Sequence, residues 1–213
     1  MSATGRGTIR DEKDFYATPR AAFDPLLAVL PRDAFFWEPC AGDGRLIRWL
    51  RESGRQAKGC DIERRCDLIE EQRDYLTDDF RHDFVITNPP FSLAFEMAQH
   101  ALIYANEFMF LLRLSFLESE DRGTWFEKHE PNGLWVLKKR PSFVMSITCK
   151  SAVQVAGETA SCKHNWLLPI ESERPKICSK CGGKKLAIST SDSSGYAWYY
   201  WGPRAELSGI HHI

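Results

Sequence analysis

Apolar residues run unbroken over short stretches of this chain and turn polar abruptly at their ends. The sharpest case is Asp83-Phe84-Val85-Ile86-Thr87, followed at once by Asn88-Pro89-Pro90-Phe91. A short apolar run with β-rich character reads as a strand buried on both faces in a parallel sheet. The paired prolines end it, because neither offers a donor for the next rung of the ladder. An amide and an aromatic ring are left at the strand's C-terminal end, which is where ligands bind in open α/β sheets.

The same pattern repeats on both sides. An apolar strand at 34–38 runs into the small-residue turn Pro39-Cys40-Ala41-Gly42-Asp43-Gly44 and then an amphipathic helix over 45–52, with Leu46, Ile47 and Leu50 on one face and Gly54 as a stop. A second strand at 56–62 follows, then a helical pattern over 93–105, a buried strand at 107–112, a helical charged connection over 118–130, a strand at 133–141 and a last strand, Tyr196-Ala197-Trp198-Tyr199-Tyr200-Trp201. Ahead of these, Thr18-Pro19 opens a helix with proline in its first turn. Alternating strands and helices predict an α/β fold with a mostly parallel, Rossmann-like sheet.

Composition fits one α/β domain with a small insert: 213 residues, 43% hydrophobic and 27% charged. With no apolar run near the ~20 residues of a membrane span and no signal-peptide core, the expected setting is cytoplasmic. The seven cysteines are then reduced unless they hold metal. The formal net charge of −1 is unevenly spread. Residues 135–190 carry ten Lys/Arg against three Asp/Glu, a balance of +7 against −8 elsewhere. A basic segment on an acidic protein is a candidate phosphate-binding surface, with a merely solvated lysine-rich face as the alternative.

Candidate chemistry gathers at the strand ends. The glycines at 42 and 44 let backbone approach a ligand closely. Glu38 and Asp43 would repel phosphate, and neither glycine-rich phosphate-loop pattern is present. These acids suit a ligand with ammonium and hydroxyl donors. Asp61, on the tip of the second strand beside Ile62, stands where a nucleoside's ribose hydroxyls would lie.

Asn88-Pro89-Pro90-Phe91 resembles the Asn/Asp-Pro-Pro-Tyr/Phe motif of methyltransferases that use S-adenosylmethionine to methylate a planar NH2 group. Glu38-Pro39-Cys40-Ala41-Gly42-Asp43-Gly44 is similar to their cofactor loop, and Tyr16-Ala17-Thr18-Pro19 resembles the segment that closes over the methionine part in adenine methyltransferases. The resemblance is to DNA adenine-N6 methyltransferases of phage and bacterial type, over residues 14–145 and 194–203. It implies that Asp74 and Tyr75 flank the cofactor's adenine and that the strands at 133–141 and 196–201 form the antiparallel hairpin closing the sheet. It also implies catalysis by Asn88, Pro89, Pro90 and Phe91: the Asn88 side-chain oxygen and the Pro89 carbonyl accept the two amine N–H bonds, and Phe91 stacks on a flipped base. Competing readings are an RNA adenine methyltransferase, a protein glutamine methyltransferase, and an inactive zinc-bearing module that binds nucleic acid.

About fifty residues separate the two hairpin strands, and they contain Cys162-Lys163-His164 and Cys178-Ser179-Lys180-Cys181, a C-x-H-x13-C-x2-C pattern. Four soft ligands from two turns suit tetrahedral zinc, and a segment rich in Ser, Lys and Gly has little core without it. Cys162, His164, Cys178 and Cys181 are the expected structural ligands, with Cys149 a possible substitute for His164. A disulfide fits the cytosol poorly, and a catalytic thiol lacks a base. The expected division is a catalytic domain over 1–146, a zinc-binding insert for substrate recognition over 147–190, and a last strand with a C-terminal tail over 191–213. DNA is the expected partner, with RNA as the alternative.

Overall fold

A computed structural model describes residues 16–145, 188–191 and 194–213. Its strands are β1 (Phe35–Glu38), β2 (Gln56–Asp61), β3 (Glu71–Gln72), β4 (His82–Thr87), β5 (Ala105–Arg113), β6 (Gly133–Val136), β7 (Ser142–Met145), β8 (Ile188–Ser191), β9 (Tyr196–Trp201) and β10 (Gly209–His212). The helices are α1 (Arg20–Leu27), α2 (Arg45–Glu52), α3 (Ala94–Tyr104) and α4 (Glu120–Phe126). Eight strands form one sheet in the order β10-β6-β9-β5-β4-β1-β2-β3, and β7 pairs with β8 in a separate hairpin. The central rungs β5-β4-β1-β2-β3 are all parallel, whereas β9 runs antiparallel to both β5 and β6. The mostly parallel α/β fold and the closing hairpin agree with the sequence.

Strand alternation explains the layering. Phe84 and Ile86 of β4, Met109 and Leu111 of β5, and Tyr196, Trp198 and Tyr200 of β9 point to one face, where α1 and α2 add Phe23, Leu26, Leu46, Ile47 and Leu50. Val85, Phe108, Phe110, Leu112, Tyr199 and Trp201 point to the other, against Met97, Ala98 and Ala101 of α3. Every residue of β9 is buried, so its aromatic run is core rather than a stacking platform. Its indoles and phenols stay inside because each polar tip is met: Trp198 Nε1 donates to the Ala22 carbonyl at 2.8 Å, and Trp201 Nε1 to that of His129 at 2.9 Å.

Several element ends differ from the pattern. The first helix stops at Leu27, short of the end of the apolar stretch at 21–30. Past its end the buried Arg55 guanidinium collects the carbonyls of Leu27, Leu30 and Pro31 at 2.8, 2.6 and 3.0 Å, the favoured charge at a helix C-terminus. The connection over 118–130 is helical only at Glu120–Phe126, started by the Ser119 side chain accepting from Arg122 N. The strand at 133–141 ends at Val136. The sheet also does not end with Tyr196–Trp201: β10 lies beyond it, parallel to β6, with His211 stacked on Trp135 at 3.9 Å between centroids. Four residues reading Gly-Ile-His-His carry too little apolar character to announce a strand.

Candidate functional site

Strands β1 and β4 are neighbours whose onward connections run to opposite sides of the sheet, β1 to β2 and β4 to β5. A crevice opens outside the strand ends at such a switch point. Here it is a cleft of about 780 Å³, a volume that includes space open to solvent. Glu38 ends β1, Asp61 ends β2 and Asn88 follows β4, and all three line it.

Glu38 is 3% exposed, and its Oε2 has no hydrogen-bond partner. Burial first, then the charges of Asp43 and Asp61, hold its carboxyl well above the ordinary carboxylate range. Asp61 is tied down instead: Oδ2 accepts from Gly42 N at 2.8 Å and Oδ1 from Glu63 N at 2.9 Å. That bond requires the turn to bring Gly42 inward, and Gly42 and Gly44 take left-handed φ of 54° and 75° to do so. Burial raises the Asp61 pKa despite the Gly42 bond. Arg45, from the first turn of α2, pairs with Asp43 and donates to the Thr18 carbonyl at 2.8 Å.

On the far wall, Asp74 accepts from Leu76 N at 3.0 Å and caps a short 3-10 turn that presents Tyr75. Tyr75 is 2% exposed with its hydroxyl unpartnered, and burial pushes that phenol up. Asn88 closes the cleft. Its Nδ2 donates to the Tyr16 carbonyl at 2.8 Å, while its buried Oδ1 has no partner. Since a carbonyl only accepts, the amide's nitrogen end must face Tyr16, and its oxygen is the end left over.

The cleft thus brings together Tyr16, Ala17 and Thr18, then Glu38, Pro39, Cys40, Ala41 and Asp43, then Asp61 with Ile62, Asp74 with Tyr75, and Asn88 with Pro90. Gly42, Gly44, Pro89 and Phe91 are not in its lining. The Phe91 ring instead stacks on Tyr16 at 5.8 Å, with the Arg113 guanidinium 4.9 Å from its centroid. Sequence reasoning missed Arg45, Arg65, Leu76, Leu93 and Met97, which also line the cleft. Arg45 lies off the apolar face of its helix, where the sequence alone gives no sign of a site. Nothing in the local pattern separates the other four from ordinary surface or core positions.

The expected zinc ligands Cys162, His164, Cys178 and Cys181, with the alternative Cys149, lie outside the described residues. Among the described residues no group of three or more His, Cys, Asp or Glu is placed to hold a metal. Cys40, Cys60 and Cys66 are free thiols, and burial pushes Cys60 up to about 12, so it is an inert thiol at neutral pH. No helix among the described residues is long and apolar enough to cross a membrane.

No family model matches the sequence, and no curated protein does. Solved structures do match. A Pyrococcus horikoshii protein provisionally described as an RNA methyltransferase superposes with a TM-score of 0.50 at 13% identity, over 65% of this chain and 84% of the other. A provisionally described S-adenosylmethionine-dependent methyltransferase from Listeria monocytogenes gives 0.37 at 14% identity, over 48% and 59%. A provisionally described methyltransferase from Thermoplasma acidophilum gives 0.33 at 11%, over 86% and 73%. The first of these shows that the chain has a methyltransferase-type α/β fold, and at that identity it speaks to fold alone.

Proposed function

We propose that this chain is an enzyme that transfers a methyl group from S-adenosylmethionine to the exocyclic N6 amine of adenine in DNA. The observation that carries this reading is the buried, unpartnered Oδ1 of Asn88 at the end of β4, beside a cleft whose acids include Glu38, its Oε2 likewise without a partner. Orphaned buried acceptors are rare and mark places where a donor is missing. The cofactor fits the donor requirements of the cleft: Glu38 would take its ammonium, Asp61 its ribose hydroxyls, and Asp74 and Tyr75 would flank its adenine. When bound, it supplies an electrophilic methyl group.

The residues of this chain do the rest. The exocyclic nitrogen of adenine is a poor nucleophile, because its lone pair is delocalised into the ring. Asn88 Oδ1 and the Pro89 carbonyl accept its two N–H bonds, stabilising charge that develops on the nitrogen, so orientation replaces a strong base. Phe91 is the stacking partner for a base flipped from its helix. For that contact, Tyr16 or Arg113 must first leave the ring. DNA as partner is supported by charge and direction: β6 runs parallel to β5 and β4, so the exposed Lys138, Lys139 and Arg140 that follow it emerge at the same sheet edge as Asn88.

RNA adenine is the second reading, since the P. horikoshii protein is described as acting on RNA. A radiolabelled methyl-transfer assay offering duplex DNA, single strands, RNA and protein tests both. Label in N6-methyladenine of DNA is the expected result, and label confined to RNA or protein would replace the substrate. The zinc reading of Cys162, His164, Cys178 and Cys181 rests on donor chemistry and spacing. Metal analysis giving about one zinc per chain, lost in Cys178→Ser with Cys181→Ser, is its test.

A further inference from the structure

The residues just ahead of α1 touch both sides of the cleft through their backbone. The Tyr16 carbonyl accepts from Asn88 Nδ2 at 2.8 Å, and the Tyr16 ring lies on Phe91 at 5.8 Å between centroids and 19° between planes. Two residues on, the Thr18 carbonyl accepts from Arg45 at 2.8 Å, and Arg45 is itself fixed by Asp43 through Nε at 2.9 Å. Tyr16, Ala17 and Thr18 all line the cleft together with Glu38. A three-residue backbone thus joins the loop after β4 to the first turn of α2.

The consequence concerns the Asn88 amide. An amide presents an acceptor at one end and donors at the other, and a flip exchanges them. Among the described residues the Tyr16 carbonyl alone fixes which end is turned away, so without it Asn88 could as well show the cleft its NH2 group, which repels an amine. We propose that residues 16–18 form a strap that sets the orientation of the Asn88 amide, and that Arg45 is a positioning residue that latches this strap through Thr18. The proposal rests on the reading of Asn88 as acceptor for the target amine. It adds a coupling: a cofactor that seats the strap also readies the acceptor, so cofactor and target binding reinforce one another.

The test is the exchange rate of the Asn88 side-chain NH2 protons with solvent, followed by nuclear magnetic resonance on the full chain and assigned by their loss in Asn88→Asp. Arg45→Ala is expected to speed that exchange at least about tenfold while the backbone amides of Val85 and Met109 keep their protection. Arg45→Lys, which retains one donor for the Thr18 carbonyl, should fall between. Tyr16→Ala, which loosens the strap from its other end and leaves α2 intact, should act in the same direction and covers the case in which Arg45→Ala disturbs the sheet. Unchanged protection in both Arg45→Ala and Tyr16→Ala overturns the proposal. Adding S-adenosylmethionine to the unaltered chain should slow the exchange further. No response to the cofactor, with the variant effects present, keeps the strap and removes the cofactor reading instead.

Discussion

The two halves of the sheet treat buried polar atoms in opposite ways. In the half built on β5, β9, β6 and β10 each is met: Trp135, Trp198 and Trp201 donate to carbonyls, Tyr199 to the Arg113 carbonyl, and Tyr200 to Glu107 at 2.5 Å. In the half built on β1 to β4, Glu38 Oε2, Tyr75 Oη and Asn88 Oδ1 are buried with no partner and line the cleft, while Trp37 Nε1, Thr87 Oγ1 and His100 Nε2 are unpartnered away from it. Leaving such atoms unpaired costs about 1–3 kcal/mol each. Among the described residues, one half is thus finished by folding alone, and the other leaves polar atoms open, three of them toward the cleft where a ligand can meet them.

Breaking the unfinished half at Asn88 should give the largest effect. Asn88→Ala removes the acceptor and should lower kcat by about 10²- to 10³-fold, with the S-adenosylmethionine Kd within a few fold. Calorimetric loss of cofactor binding in this variant would show that Asn88 serves the cofactor instead. Asp61→Ala should do the reverse, weakening the cofactor by roughly 1–3 kcal/mol, part of it through the released Gly42 and Glu63 amides. An unchanged Kd moves the ribose site elsewhere.

The finished half should answer with stability and not with binding. Tyr200→Phe takes a donor from Glu107 and an acceptor from the Arg204 amide, and should cost about 1–3 kcal/mol in denaturant unfolding. A change in cofactor Kd there would erase the distinction between the halves.

The smallest effect is a proton. With its carboxyl held above the ordinary range, Glu38 keeps a proton in the folded chain that the unfolded chain gives up. Its contribution to stability is therefore present below the ordinary glutamate value and lost as pH rises through the raised folded value. An ammonium beside it pulls the value back down. Cofactor affinity should then rise with pH over that window, with release of about one proton at most. Calorimetry in two buffers measures this, and a slope that survives in Glu38→Gln assigns the proton to another group.

Much of this was legible in the sequence, for a physical reason in each case. Strands β1, β2, β4, β5 and β9 are apolar runs closed by turn residues, and α2 has one apolar face, so local pattern suffices. Residues 38, 61 and 88 could be placed in one cleft because strand ends in a parallel sheet share an edge, whereas 16 and 74 were placed there by the resemblance alone. What escaped were contacts that only folding creates. The Asn88 to Tyr16 bond spans 72 residues of sequence, and a backbone carbonyl leaves no trace in residue identity. The Phe91 ring was expected to await a base, yet its surroundings, Tyr16 and Arg113, come from elements far along the chain. Strand β10 escaped because it depends on β6 for partners.

The β7–β8 hairpin has a further consequence, for how this chain tolerates change. Ser142–Met145 pairs with Ser191–Ile188 residue for residue, so the gap between the two ends of the intervening stretch is set by the hairpin. The entropic cost of closing a loop grows only logarithmically, about 0.6 kcal/mol per doubling of length. The sheet is therefore nearly indifferent to how many residues pass between Met145 and Ile188. That makes this junction a natural point of exchange, where segments of different length can be swapped onto one sheet without refitting its core.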